Sequence, residues 1–395
     1  MSRHDLLSGL LLILGALVLP TGLAADAGAA DSPSEEKETA AAPVVLLDLP
    51  GSGTDPERID SAALPRLAGE HVVISPPDDA WKFRLHNYLT HHDGRFWCMW
   101  SHGPVVEDVP SQHVRFATSE DGLNWSESRM LTDVPQAGNA YIARGFWLRE
   151  GQLLALAAHY KGKGAFGVDK ELKLQAFAWN PQADRWEFHG TLFENAINNF
   201  PPQKVASGEW MLTRRDSRFN VFMLKGGVAA FDDWRSVPVV KRQQFPGFIP
   251  DEPIWWSQPD GELIALYRDN GGSQRIFHSV STDSGETWSP PRRTNFPNST
   301  SKLFSLVLSN GDRVLISNAN PKLGRRELHL SLSRDGKTFR RMALLDIPSQ
   351  RPSTLQYPHA IEREEQLLIA FSRNKQWIEL FRVPVQHITA LWNDE

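Results

Sequence analysis

The octapeptide Ser281-Thr-Asp-Ser-Gly-Glu-Thr-Trp288 has shorter copies elsewhere in the chain, and that recurrence limits what the chain can fold into. Ser119-Glu-Asp-Gly-Leu-Asn-Trp125 is one residue shorter between Asp and Trp, and Ser333-Arg-Asp-Gly-Lys-Thr-Phe339 puts Phe in the Trp place. Asp-Gly turn chemistry reverses the chain between two strands: Asp accepts from nearby backbone N–H groups, Gly takes positive φ, and the aromatic tucks beneath. Fainter echoes at Trp179 to Trp186 and at Phe231-Asp-Asp-Trp234 complete a spacing of roughly 50 residues, the length of a propeller blade.

Short apolar or alternating runs follow one another from Val44 onward, separated by clusters of Gly, Pro, Asn and Asp, as in an all-β domain. Phe96 to Trp100, Leu153 to Ala158, Trp210 to Thr213, Leu263 to Tyr267, Val314 to Ser317 and Leu367 to Phe371 are the most apolar. Each is expected to be the inner strand of a four-stranded antiparallel blade whose outer hairpin carries the repeat. The domain, residues 44–395, is expected to be a six-bladed β-propeller, with seven blades as the alternative if the first repeats are compressed. The run Trp377 to Pro384 is expected to complete a blade begun near the start of the domain, closing the ring.

Before this domain stands a different kind of sequence. Arg3, the apolar run Leu6 to Leu19 and the small residues around Ala24-Ala25 read as a signal peptide over residues 1–25, which implies export to the periplasm or outside the cell. The apolar run is short for a bilayer span, and no later stretch is long enough for one. Residues 26–43, rich in Ala, Glu, Ser and Pro, read as a flexible leader. A net charge of −5 gives no sign of nucleic-acid binding. The single cysteine, Cys98, lies in Phe96-Trp-Cys-Met-Trp100 and reads as an inert core residue. No His or Cys spacing suggests a metal site, no cofactor is implied, and a monomer is expected.

A propeller does not name a function, so the charged residues beside its strands must. Arg84 lies in Lys82-Phe-Arg-Leu-His-Asn87, Arg268 ends Leu263-Ile-Ala-Leu-Tyr-Arg268, and Arg325 and Arg326 precede the third repeat. Converging guanidinium forks would hold an anion, most simply a carboxylate, although strand-end arginines paired with Asp or Glu would leave the same pattern. Acidic candidates are Glu252 in Asp251-Glu-Pro253 and the Glu107-Asp108 pair, and one of only five tyrosines, Tyr357, falls in Gln356-Tyr-Pro-His359.

This order of residues resembles the sialidase superfamily, whose Asp-box repeat the 281–288 segment matches in full. The first-blade Phe-Arg-Ile-Pro motif of that family is similar to Phe83-Arg84-Leu85-His86, with His in place of Pro. The resemblance, covering about Phe83 to Arg382, implies Tyr357 as nucleophile, Glu252 as its base and Asp108 as acid/base. It further implies a substrate carboxylate held by Arg84, Arg268 and one of Arg325 and Arg326. Retaining sialidases use a tyrosine rather than a carboxylate nucleophile. A sugar bearing a carboxylate on its reacting carbon repels an anionic nucleophile, whereas a neutral phenol meets no such repulsion. With a pKa of about 10, that phenol needs a base.

His86, His102 and His359 add imidazoles that such a site does not require. His86 or His359 as acid/base would suit a different acidic sugar, and the favoured alternative is a hydrogen-bonded place in the wall of the site. The expected activity is removal of a terminal acidic sugar from a glycan. The alternatives are a hydrolase or lyase acting on uronic-acid-containing polysaccharide, and a glycan-binding propeller without catalysis.

Overall fold

The computed structural model describes residues 42–164, 170–195, 197–348 and 353–393. The expected signal peptide and nearly all of the expected leader lie outside the described residues.

The described residues from Pro43 onward form six sheets arranged as a propeller. From the channel outward, the first blade runs Phe83–His92, Arg95–Gly103, His113–Ser119 and Arg129–Met130. The second runs Asn139–Arg149, Gln152–Lys161, Lys173–Asn180 and Arg185–Glu194, and the third Gln203–Lys204, Trp210–Arg215, Val221–Gly226 and Trp234–Val240. The fourth runs Pro250–Ser257, Leu263–Asp269, Arg275–Ser281 and Arg292–Pro297. Blade five runs Phe304–Val307, Arg313–Ser317, His329–Ser333 and Arg341–Leu345. It gains a fifth strand, Arg66–Leu67, laid parallel to its outer edge.

The sixth blade closes the ring. Leu355–Arg363, Gln366–Arg373 and Trp377–Pro384 supply three strands, and Glu70–Ser75 adds the fourth, antiparallel, with Glu70 opposite Arg382. Strands from distant parts of the chain thus share one sheet, which leaves the ring no open seam.

The most apolar runs are the second strands of their sheets, not the innermost ones as expected. A second strand is hydrogen-bonded on both edges and covered on both faces by neighbouring blades, so it carries the purest apolar sequence. An innermost strand borders the channel and keeps polar side chains there.

The repeat segments join third to fourth strands at the rim, as their turn chemistry requires. In the fullest copy, Ser281 Oγ donates to Asp283 Oδ1 at 2.7 Å and accepts from Gly285 N–H at 2.9 Å. Thr287 N–H donates to Asp283 Oδ1 at 2.9 Å, and Trp288 Nε1–H to Gly285 O at 3.2 Å. Asp121 and Asp335 repeat the bond from their preceding Ser and accept from two following N–H groups. In the faint 179–186 copy Trp179 and Trp186 face each other across the hairpin.

Candidate functional site

Four innermost strands share one irregularity. In the first, second, fourth and sixth blades the pairing register slips between Leu85 and Tyr88, Ala143 and Gly145, Asp251 and Ile254, and Gln356 and His359. A left-handed residue sits at each slip: His86 (φ 53°), Gly145 (φ 105°), Glu252 (φ 45°) and Tyr357 (φ 58°). A bulge breaks the two-residue alternation and re-aims a side chain, and positive φ is costly for residues other than Gly. Three of the four residues are non-glycine, and all three line one cavity of about 230 Å³.

Every blade contributes to that cavity. Blade one gives His86 and, from the loop after its second strand, Glu107 and Asp108; blade two gives Ile142 and Arg144. Ile197 and Asn199 precede blade three, which adds Arg215, and blade four supplies Asp251, Glu252 and Arg268. Arg325 enters from a blade-five loop, and Tyr357 and Lys375 come from blade six.

Tyr357 and Glu252 line the same cavity and interact electrostatically there. Arg268 Nη1 lies 2.6 Å from Glu252 Oε2. Burial works against the charge of Glu252, but Arg268, Lys302 and the Tyr357 hydroxyl outweigh it and hold the carboxyl below its ordinary range. Burial, then the charge of Glu252, pushes the Tyr357 phenol well up. The arrangement at rest is a neutral phenol beside an ionised carboxylate.

Arg325 enters the same cavity. Its Nη1 donates to Gln356 Oε1 at 2.7 Å and its Nη2 to Thr300 O at 2.6 Å, both neutral acceptors. Across the cavity, Arg215 Nε is 2.6 Å from Asp251 Oδ1. Lys375 Nζ is 2.5 Å from Glu107 Oε2, and His86 Nε2 is 3.2 Å from Glu107 Oε1. Burial alone would raise the Glu107 carboxyl, yet His86 and Lys375 hold it far below its ordinary range. Asp108 has a left-handed backbone (φ 59°), and its Oδ1 accepts from the Tyr160 hydroxyl at 3.3 Å.

The structure brings together Tyr357, Glu252, Asp108, Arg268, Arg325 and His86. Arg84 is not among them. Strand alternation puts Phe83 and Leu85 on the side of Tyr357, where the three cluster, and turns Arg84 the other way. There its Nε donates to Ser75 Oγ at 2.9 Å and its Nη2 lies 3.2 Å from Asp78 Oδ2. Arg326 is exposed outside the cavity, its neighbour Arg325 having taken the inward turn. His359 follows the bulge into the packed interior, where Phe304 and Tyr88 flank it at 4.3 and 5.2 Å between ring centres and Leu89 N–H donates to its Nδ1 at 3.1 Å. Burial, with the Lys302 charge, lowers its pKa to about 3. His86 stays in the wall: its Nδ1 is 3.1 Å from Ser101 Oγ, and its ring meets Tyr357 edge-on at 5.0 Å.

Arg144, Arg215, Asn199 and Lys375 were not singled out as site residues from sequence. Gly145 was the one visible signal, since a glycine inside a strand marks a bulge, and Arg144 precedes it.

The BNR repeat-like domain family matches residues 94–369. No curated protein matches the chain significantly. Among solved structures, a Dyadobacter fermentans protein of unknown function is similar at 15% identity and a TM-score of 0.66, over 81% of this chain and 100% of that one. The Trypanosoma rangeli sialidase in complex with sialic acid has 13% identity and a TM-score of 0.60, over 83% of this chain and 61% of that one. The chain thus spans less than two thirds of that sialidase. A structure titled NanB plus Optactamide has 11% identity and a TM-score of 0.62, over 81% of this chain and 71% of that one. At such identities the likeness is one of fold, and with seven-tenths of its length matched the chain belongs to the BNR repeat-like domain family, on a six-bladed, sialidase-like propeller.

Proposed function

We propose that the protein is an exo-acting glycoside hydrolase that removes a terminal carboxylate-bearing sugar of the sialic-acid type from glycans. The observation that carries this reading is that Tyr357 shares one cavity with the Glu252–Arg268 ion pair, and that Arg325 enters it as well. Arg325, whose hydrogen bonds go to neutral oxygens, and Arg268 hold the substrate carboxylate. Tyr357 attacks the anomeric carbon as its proton passes to Glu252. Asp108 protonates the leaving oxygen and then takes a proton from the water that releases the sugar. A cavity of about 230 Å³ closed by all six blades suits one sugar ring, hence cleavage at a chain end. The N-terminal pattern supports an exported enzyme.

A histidine-based lyase on uronic-acid polysaccharide is less favoured. Both nitrogens of His86 are engaged, one with Ser101 and one with Glu107, and His359 lies outside the cavity. The deciding experiment offers the protein a fluorogenic sialoside and, separately, a uronic-acid polysaccharide. Release of the fluorophore, abolished in Tyr357→Phe, supports the reading. Absorbance of an unsaturated uronate with no fluorophore release overturns it.

A further inference from the structure

Behind Tyr357 lies a lysine for which the mechanism above has no use. Lys302, just before the inner strand of blade five, is 2% exposed. Its Nζ donates to the Tyr88 hydroxyl at 3.0 Å and to Asn199 O at 3.1 Å. The ammonium also lies 4.4 Å from the ring centre of Phe200, 4.7 Å from that of Tyr88 and 5.1 Å from that of Tyr357. An ammonium enclosed by three rings, whose hydrogen bonds among the described residues go to a phenol and a carbonyl, is an expensive thing to bury. Methionine would fill the space without that cost.

We propose that Lys302 is a positioning residue for the Tyr357–Glu252 pair, its enclosed ammonium serving as a fixed counter-charge for the one negative charge the pair passes between its members. This rests on the reading of Tyr357 as nucleophile. In the step, the proton leaves Tyr357 Oη for the Glu252 carboxylate and the phenolic oxygen bonds to the anomeric carbon. The bond to the leaving oxygen breaks with its electron pair, and that oxygen takes a proton from Asp108. Negative charge therefore starts on Glu252, develops on the phenolic oxygen and ends on Asp108. A cation fixed behind the first two favours the transfer without reorganising, as preorganised charge does in a water-excluded site.

The groups around the ammonium come from four blades and the loop before the third. Glu252 and Asp251 on blade four favour its charge, Arg144 on blade two opposes it, and burial opposes it most. Tyr88 on blade one and Tyr357 on blade six offer neutral rings, and His359 on blade six is held neutral beside it. The balance lowers the ammonium pKa to about 7, so the counter-charge is lost on the alkaline side of neutrality.

The test measures kcat and KM on a fluorogenic sialoside from pH 5 to 10 for the wild type, Lys302→Met, Lys302→Arg and Tyr357→Phe. Expected for the wild type is a fall in kcat as pH rises through about 7. Lys302→Met should lose kcat by roughly 10²-fold with little change in KM, and should lack that limb. Lys302→Arg, whose charge does not titrate, should keep part of the activity and carry it to higher pH. One alkaline limb shared by all three active proteins, or an unchanged kcat in Lys302→Met, overturns the proposal while leaving the tyrosine mechanism standing. Activity retained in Tyr357→Phe, or a wild type inert on sialosides, overturns both.

A second arm does not depend on activity. A base whose folded pKa is lowered opposes folding fully below that pKa, and the penalty fades as pH rises toward the unfolded value. Lys302→Met should therefore melt above the wild type below pH 7 and lose that advantage toward pH 10. A variant less stable than the wild type at every pH shows a lysine needed only for packing and overturns the proposal.

Discussion

Glu252 and Tyr357 occupy corresponding bulges on the inner strands of blades four and six, both with left-handed backbones, and both line the same cavity. Neither residue is conformationally at ease, and each strained turn serves the other's placement. Tyr357→Phe is expected to abolish turnover while keeping affinity for a sialic-acid analogue, since the lost oxygen acts in the transition state. Glu252→Gln should cut kcat by about 10²- to 10⁴-fold through loss of the base. Steady-state kinetics with calorimetric binding of the analogue checks both.

Arg325 and Arg84 separate a binding role from a structural one. Arg325→Ala should weaken binding of the same analogue by about 1.5–3 kcal/mol, the value of a charge-assisted contact. Arg84→Ala should leave affinity unchanged and lower the melting temperature instead, because it strands Asp78 and Ser75 outside the cavity. If Arg84→Ala weakens binding as much as Arg325→Ala does, the assignment of the carboxylate site is wrong.

Acid should weaken the hairpins of the rim. Hydrogen bonds from Thr287, through its hydroxyl and then its N–H, lower the Asp283 pKa to about 2. A carboxyl lowered on folding stabilises the fold above its unfolded pKa, and that contribution is lost as pH falls from about 4 to about 2. Asp283→Asn should flatten this part of the stability-versus-pH curve, as followed by urea unfolding at stepped pH.

Trp288 is half-buried against the interface of blades three and four and bonded to Gly285 O. Trp288→Ala should cost about 2–3 kcal/mol, less than a fully buried tryptophan would. Analogue affinity of the folded protein should not change. Denaturant unfolding and calorimetry distinguish this from a role in binding.

The rim was legible because each hairpin is a local device: Ser281, Asp283, Gly285 and Trp288 meet within one turn, so their spacing survives in the sequence. The order of the site residues was also legible along the chain. What sequence could not show was the direction of each side chain. Arg84 looks like a cavity residue until the alternation of Phe83 and Leu85 against Tyr357 turns it outward. Arg144 and Arg215 face inward from blades in which no site residue was expected. The bulges at His86, Glu252 and Tyr357 carry no glycine to announce them, and Lys302 looks like any lysine in a polar loop until blades one and six close over it.

Closure by Glu70–Ser75 against Trp377–Pro384 also sets an order in time. Tyr357 lies in the blade that this pairing completes, so the proposed nucleophile has no finished wall around it until Trp377–Pro384 has docked. Up to that moment the early strand Glu70–Ser75 waits without its partner, a bare edge able to pair with another chain. A complete cavity and a protected edge therefore arrive together, in the single event that shuts the ring.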